Sequence, residues 1–222
     1  MVKRNVKLLC IGAGFLAAFA LWTALICRVD VQAVGPNDSS VGFAALNKFV
    51  HEKIGVYLWL YTVTDWLGLI PIGFVLGFAV LGFSQLVRRK SLFKVDHSIL
   101  ALGGFYIVVA TAYLLFEEFA LNYRPVLIDG NLEASYPSST TMLALCILPT
   151  AMMQLKLRIH CDSVRRAVLF ILGLLTAFTV VGRLISGVHW ITDIIGGTLL
   201  SVGLVLLYAA VCGFLTEKNY NR

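Results

Sequence analysis

Charge is what this sequence has least of. Only 14% of its 222 residues are Asp, Glu, Lys or Arg, against 59% hydrophobic, a balance that excludes a water-soluble domain of this size. Long polar stretches are missing as well, so no separate soluble domain is expected beside the apolar blocks. The five cysteines, Cys10, Cys27, Cys146, Cys161 and Cys212, are scattered and odd in number. They make neither a CxxC spacing nor a dense disulfide pattern and read as small apolar residues. Base exceeds acid by a formal charge of +6, yet the basic residues flank apolar blocks instead of forming one basic surface. Nucleic acid is therefore not an expected partner.

What is present is hydrophobicity in six blocks, each near the roughly 20 residues that a helix needs to cross a bilayer. They run about Val6 to Cys27, Tyr57 to Leu86, Ser98 to Phe116, Ser138 to Leu155, Val164 to Val181 and Trp190 to Phe214. The expected fold is all-α: a polytopic membrane protein, a six-transmembrane-helix bundle forming a single domain over 1–222. The first block follows Lys3, Arg4 and Lys7 but ends in no small-residue cleavage site, so it reads as a retained span. The second is longer than a perpendicular span requires and contains Pro71 among several glycines, which points to tilt or a kink. Gly73 and Gly77 have a spacing that permits close helix packing. Residues 28–55 read as a loop between spans, with an interfacial helix expected from Val41 to Ile54.

With the amino terminus placed in the cytoplasm, thirteen of the eighteen Lys and Arg residues fall on that side. They cluster at residues 3–7, 88–94, 156–166 and 218–222. Arg28, Lys48, Lys53, Arg124 and Arg183 remain for the other face, as do most of the acids. The split follows the positive-inside rule and leads to the expectation of a multi-pass cell-membrane protein with both termini cytoplasmic.

Three polar segments then converge on the non-cytoplasmic ends of the spans: Asn122 to Pro125, Tyr136 to Thr140, and Gly182 to Asp193. His189 and Asp193 stand four residues apart, so a helix starting near His189 puts both on one face. A carboxylate that accepts one imidazole proton leaves the other nitrogen as nucleophile, metal ligand or base. Spacing does not choose among these roles, and Asp193 satisfying a buried histidine beside a membrane-anchoring Trp190 explains the pair equally well. Arg124 and Arg183 add two permanent charges suited to a tetrahedral phosphoryl group. Pro137 followed by Ser138, Ser139 and Thr140 resembles a hydroxyl-capped helix start, which attracts anions.

In this order and spacing the segments resemble the type 2 phosphatidic acid phosphatase (PAP2) superfamily. Its three motifs are a lysine six residues before Arg-Pro, then Pro-Ser-Gly-His, then Ser-Arg with a histidine after five residues and an aspartate after three more. Here they read Glu117 with Arg124-Pro125, then Pro137-Ser138-Ser139-Thr140, then Gly182-Arg183 with His189 and Asp193. The resemblance implies that His189 attacks phosphorus to form a phosphohistidine and that Asp193 orients it. Arg124 and Arg183 then stabilise the transferring group, with amides and hydroxyls near Ser138 and Ser139 assisting. No metal and no cofactor are expected.

Two positions depart from that pattern. Glu117 stands where the family has lysine, and Thr140 where it has the histidine that protonates the leaving group. His51, Glu117 and Glu118 are the candidate substitutes. A diphosphate leaves as a phosphate monoester and needs the acid less than an alkoxide does, so a polyprenyl diphosphate is the preferred substrate within the class of lipid-linked phosphates. Two other functions compete. A catalytically weakened lipid-phosphate binding protein would use the same arginines, whereas a channel or transporter has little support because the span centres hold few charges.

Overall fold

The computed structural model describes residues 2–220, with side chains as far as residue 217. Arg222 and the side chain of Lys218, both counted in the basic set above, lie outside the described residues. The chain begins with α1 (Val2–Ile26) and a short hairpin of β1 (Gln32–Ala33) and β2 (Ser40–Val41). It continues through α2 (Ala44–Ile54), α3 (Leu58–Leu67), α4 (Leu69–Arg89), α5 (His97–Glu118), α6 (Ser139–Arg158) and α7 (Asp162–Ile185) to α8 (Ile191–Tyr220).

Among the described residues, six helical segments are long and apolar enough to cross a membrane, with α3 and α4 together forming the second. Their outward faces expose Val80, Phe83, Ile107, Phe170 and Ile171, an apolar surface that water would not tolerate and lipid does. The protein is thus an all-α, polytopic six-helix membrane bundle. α6 is its central helix, with 56% of its most apolar window buried against 11–33% for the others. Leu102, Phe105, Met142, Ile147, Leu200 and Leu204 form the core that joins α5, α6 and α8.

α1 lies against α8 through small residues. A Cβ on Gly12 would stand 3.0 Å from the Gly203 carbonyl oxygen, and one on Gly203 would stand 2.7 Å from Leu16, so glycine sets how closely these helices approach. Gly73 and Gly77 do no such work, since a Cβ at either would meet nothing within 4 Å.

The long second span is interrupted at Gly68, between α3 and α4. Pro71 accounts for the break: it lacks the N–H that the Leu67 carbonyl, four residues back, would accept. Pro71 itself falls in the first turn of α4, where a missing donor is harmless. The helix expected from Val41 begins instead at Ala44, after Phe43 in the left-handed region. Buried Asn47 ties it to the start of α8, donating to the Thr192 hydroxyl at 2.9 Å and to the Gly42 carbonyl at 2.8 Å. Leu46 and Phe49 on the same helix stay exposed.

Candidate active site

The site forms at one end of the bundle, where α5 ends, α6 begins, and the turn between α7 and α8 folds inward. That turn needs Gly187, whose φ is +69° and where a Cβ would lie 2.0 Å from the Gly55 carbonyl oxygen. His189 follows two residues later, just before α8, and Asp193 occupies the first turn of that helix. Both are buried, at 3% and 0% exposure. Asp193 Oδ2 accepts the Trp190 backbone N–H at 2.9 Å. This bond satisfies one amide of the helix start and fixes the carboxylate.

The expected contact between the two side chains is not direct. His189 Nδ1 and Asp193 Oδ2 are 3.8 Å apart, beyond hydrogen-bond reach, and Ser135 stands between them. Its hydroxyl lies 3.0 Å from His189 Nδ1 and donates to Asp193 Oδ2. The consistent proton arrangement is Nδ1–H to Ser135 Oγ, and Ser135 O–H to the carboxylate. It leaves Nε2 unprotonated, and Nε2 is buried without a partner. Sequence reasoning missed Ser135. The available signal was its place two residues before Pro137.

Burial and then the charges of Arg183 and Arg124 hold the His189 imidazole well below its ordinary pKa, while a bond to the Ser135 backbone opposes them. The ring is therefore neutral near pH 7, the form a nucleophile requires.

Arg183, 1% exposed, owes its position to Gly182: a Cβ there would come within 2.7 Å of Thr64, so glycine lets α7 close on α3. Arg183 Nη1 bonds the Thr64 hydroxyl at 3.5 Å and Nη2 pairs with Asp65 at 3.7 Å. Arg124 pairs with Glu133 at 3.0 Å. The ring of Tyr61 lies against both guanidinium groups, 4.7 Å from Arg183 Cζ and 5.6 Å from Arg124 Cζ, a cation–π arrangement that presents their edges. Arg124 Nη1 and Arg183 Nε remain buried and unpaired. Each such unmet polar group costs about 1–3 kcal/mol, so a concentration of them around one histidine marks a place for an anionic ligand.

Both arginines line a cavity of about 510 Å³ together with Ser139, Thr140, Glu117 and the apolar Leu69, Ile72 and Leu143. Ser138 starts α6 but makes no side-chain cap, contrary to the hydroxyl capping expected. Its Oγ bonds the Thr141 hydroxyl at 3.0 Å and its backbone N–H donates to the Asp193 carbonyl at 3.2 Å. The first amides of α6 thus carry no side-chain cap beside the cavity.

Of the candidate acids, Glu117 lines the cavity and Glu118 does not. His51 faces elsewhere: Nε2 is 3.0 Å from the Gly187 carbonyl and the ring packs against Trp190, so it braces the His189 turn. Trp190, expected as a membrane anchor, is buried and donates to the Tyr123 carbonyl at 2.7 Å. That bond ties the Arg124 segment to the same turn.

Comparison with known proteins identifies the family. The sequence matches the PAP2 superfamily over residues 96–216, a stretch running from the start of α5 into α8 that contains every motif residue named above. Nothing among curated proteins matches the chain. A crystal structure of a transmembrane PAP2-type phosphatidylglycerolphosphate phosphatase from Bacillus subtilis shares its fold, with a TM-score of 0.61 and 20% identity, covering 93% of this chain and 96% of that one. The chain belongs to the PAP2 superfamily and is a divergent, membrane-associated member of these phosphatases.

Proposed function

We propose that this protein transfers the phosphoryl group of a lipid-linked phosphate through a phosphohistidine on His189, with polyprenyl diphosphate as the preferred substrate. The observation that carries the reading is the unpartnered Nε2 of His189, buried near two arginines that retain unpaired N–H groups. Nε2 attacks the terminal phosphorus and the bond to the bridging oxygen breaks. Arg124 and Arg183 bind the equatorial oxygens as negative charge builds, the kind of preorganised donor that supplies most of the rate in such transfers. The positive charge left on the imidazole is relayed through Ser135 to Asp193. Water then cleaves the nitrogen–phosphorus bond, releasing phosphate and restoring His189.

Thr140 has no proton to give at neutral pH. A diphosphate departs as a phosphate monoester without one, whereas phosphatidic acid departs as an alkoxide. The apolar part of the cavity, Leu69, Ile72 and Leu143, suits the first carbons of a lipid tail. The basic-residue split supports cytoplasmic termini and a site on the non-cytoplasmic side.

Purified protein in detergent, supplied with polyprenyl diphosphate or phosphatidic acid, is expected to release phosphate from the first far faster than from the second. His189→Ala should abolish both activities, and Thr140→His should help phosphatidic acid more. A second reading, a lipid-phosphate binder with weak turnover, is favoured by Glu117 and Thr140 at the cavity wall. Retained binding without phosphate release from either lipid would select it.

A further inference from the structure

The end of the bundle opposite His189 holds a second polar cavity, larger than the first. Its volume is about 740 Å³, and α1, the start of α5 and the last turns of α6 and α8 enclose it through Arg4, His97, Lys156 and Thr216. Gly213 makes the closure possible: a Cβ there would stand 2.3 Å from Asn5 Oδ1. Glycine thus seats the buried Asn5 against α8 and brings Arg4, its neighbour, to the cavity. Buried Gln154 forms a polar floor, donating to the Tyr208 hydroxyl and to the Ser98 carbonyl at 3.3 Å while its own side-chain carbonyl accepts from Arg158. These bonds join α5, α6 and α8 around the recess. A basic rim alone would set separate charges among headgroups; here the charges converge on a walled space.

Charge in that space is one-sided. Asp96, the one carboxylate among the described lining residues, is already paired with Arg89 at 3.0 Å and Arg158 at 3.6 Å. Arg4 and Lys156 make no ion pair among the described residues, and Glu217, one residue beyond Thr216, does not line the cavity. Two cations therefore face a recess whose negative charge is taken up elsewhere. Met153, Leu157 and Leu215 complete the lining, and Leu157 is exposed on a helix that lipid surrounds. A soluble anion has no use for that apolar wall, whereas the phosphodiester of a phospholipid, with the first carbons of its chains, matches both halves of the recess.

We infer that this cavity binds the headgroup of an anionic phospholipid, its phosphodiester between Arg4 and Lys156 and its chains along Leu157. Basic recesses between transmembrane helices take such headgroups by the same combination. With the amino terminus cytoplasmic, this lipid belongs to the cytoplasmic leaflet, across the membrane from His189, and is held without being turned over. It joins α1, α6 and α8 at one end of the bundle, while α6 and α8 carry Ser139 and Asp193 at the other. Its binding stabilises the folded bundle in proportion to occupancy.

The test uses the full chain in detergent, titrated with phosphatidylglycerol, phosphatidylcholine, and inorganic phosphate or glycerol 1-phosphate. Bound lipid is followed by native mass spectrometry, and a photoactivatable phosphatidylglycerol locates it by the peptides it labels. Label is expected on the last turns of α6 and α8. Phosphatidylglycerol should bind about 25-fold more tightly than phosphatidylcholine, since each of two basic residues contributes about fivefold, or about 1 kcal/mol. Arg4→Gln and Lys156→Gln should each weaken binding about fivefold, and Lys156→Arg should preserve it. Phosphatidylglycerol also offers a phosphate to Arg124 and Arg183, so Arg183→Gln serves as the control and should leave this label unchanged. Equal affinity for the two lipids, label confined to the Arg183 end, or binding that the Arg4→Gln, Lys156→Gln double variant leaves unchanged overturns the inference. Displacement of the lipid by millimolar inorganic phosphate also overturns it, by assigning the cavity to a soluble anion. The wild-type comparison and Lys156→Arg decide the matter even where the glutamine variants fail to fold, and no outcome depends on turnover at His189.

Discussion

Ser135→Ala removes the one group that links His189 to Asp193. The alanine leaves the backbone bond from residue 135 to the Asp193-facing loop intact, since the Ser135 N–H donates to the Asn122 carbonyl at 2.9 Å, so the segment should keep its course. Two hydrogen bonds are lost, and the 3.8 Å separation of Nδ1 from Oδ2 leaves no direct bond to replace them. Hydrogen bonds to charged groups are worth about 1.5–3 kcal/mol, which corresponds to a loss in kcat of about 10- to 150-fold. Phosphate release measured for Ser135→Ala, Asp193→Asn and the double variant should show strong coupling, the second substitution adding little to the first. Ser135→Thr, which keeps the hydroxyl, should recover much of the rate. A merely structural role would not move the acid limb of the pH profile, whereas loss of the hydroxyl through which the Asp193 carboxylate supports a charged ring should shift that limb to lower pH. Wild-type kcat in Ser135→Ala, or additive losses in the double variant, would refute the relay.

Two further outcomes follow from the same geometry. Because burial and the charges of Arg183 and Arg124 depress the His189 pKa, the ring stays neutral as pH falls through the ordinary histidine range near 6.5. The kcat/KM of wild type should therefore stay level through that range and fall only below it, and a midpoint at or above 6.5 would contradict the assignment. In sealed, oriented vesicles, a single cysteine introduced at Arg88 should react only with reagent on the cytoplasmic side and one at Asp129 only from the opposite side; reversed labelling would reject the orientation.

The sequence already carried the spans, because an 18-residue apolar run has few fates other than a membrane helix, and it carried Arg124, Arg183, His189 and Asp193, because the spacing of the last three survives intact. The interruption at Gly68 was legible only as a tendency: Pro71 announced a disturbance, but its effect falls on the carbonyl four residues earlier. Ser135 was hidden because serine is common in loops and its role arises from two partners 54 and 58 residues away. Tyr61, Thr64 and Asp65 were hidden for a similar reason. They lie on α3, outside all three motifs, and reach Arg183 only because Gly182 brings α7 against that helix. His51 was misplaced by the opposite error, since a histidine near the site in sequence need not turn its ring toward the cavity, and this one, on α2, lies 3.0 Å from the Gly187 carbonyl.

Phosphorylation of His189 is the step that separates covalent transfer from direct attack by water. Purified protein mixed with polyprenyl diphosphate labelled in its terminal phosphate, quenched rapidly in alkali and digested, should yield label that is stable to base, labile to acid and confined to the peptide containing His189, with none in His189→Ala. Turnover without such label in wild type, or label and turnover that persist in His189→Ala, would contradict the account.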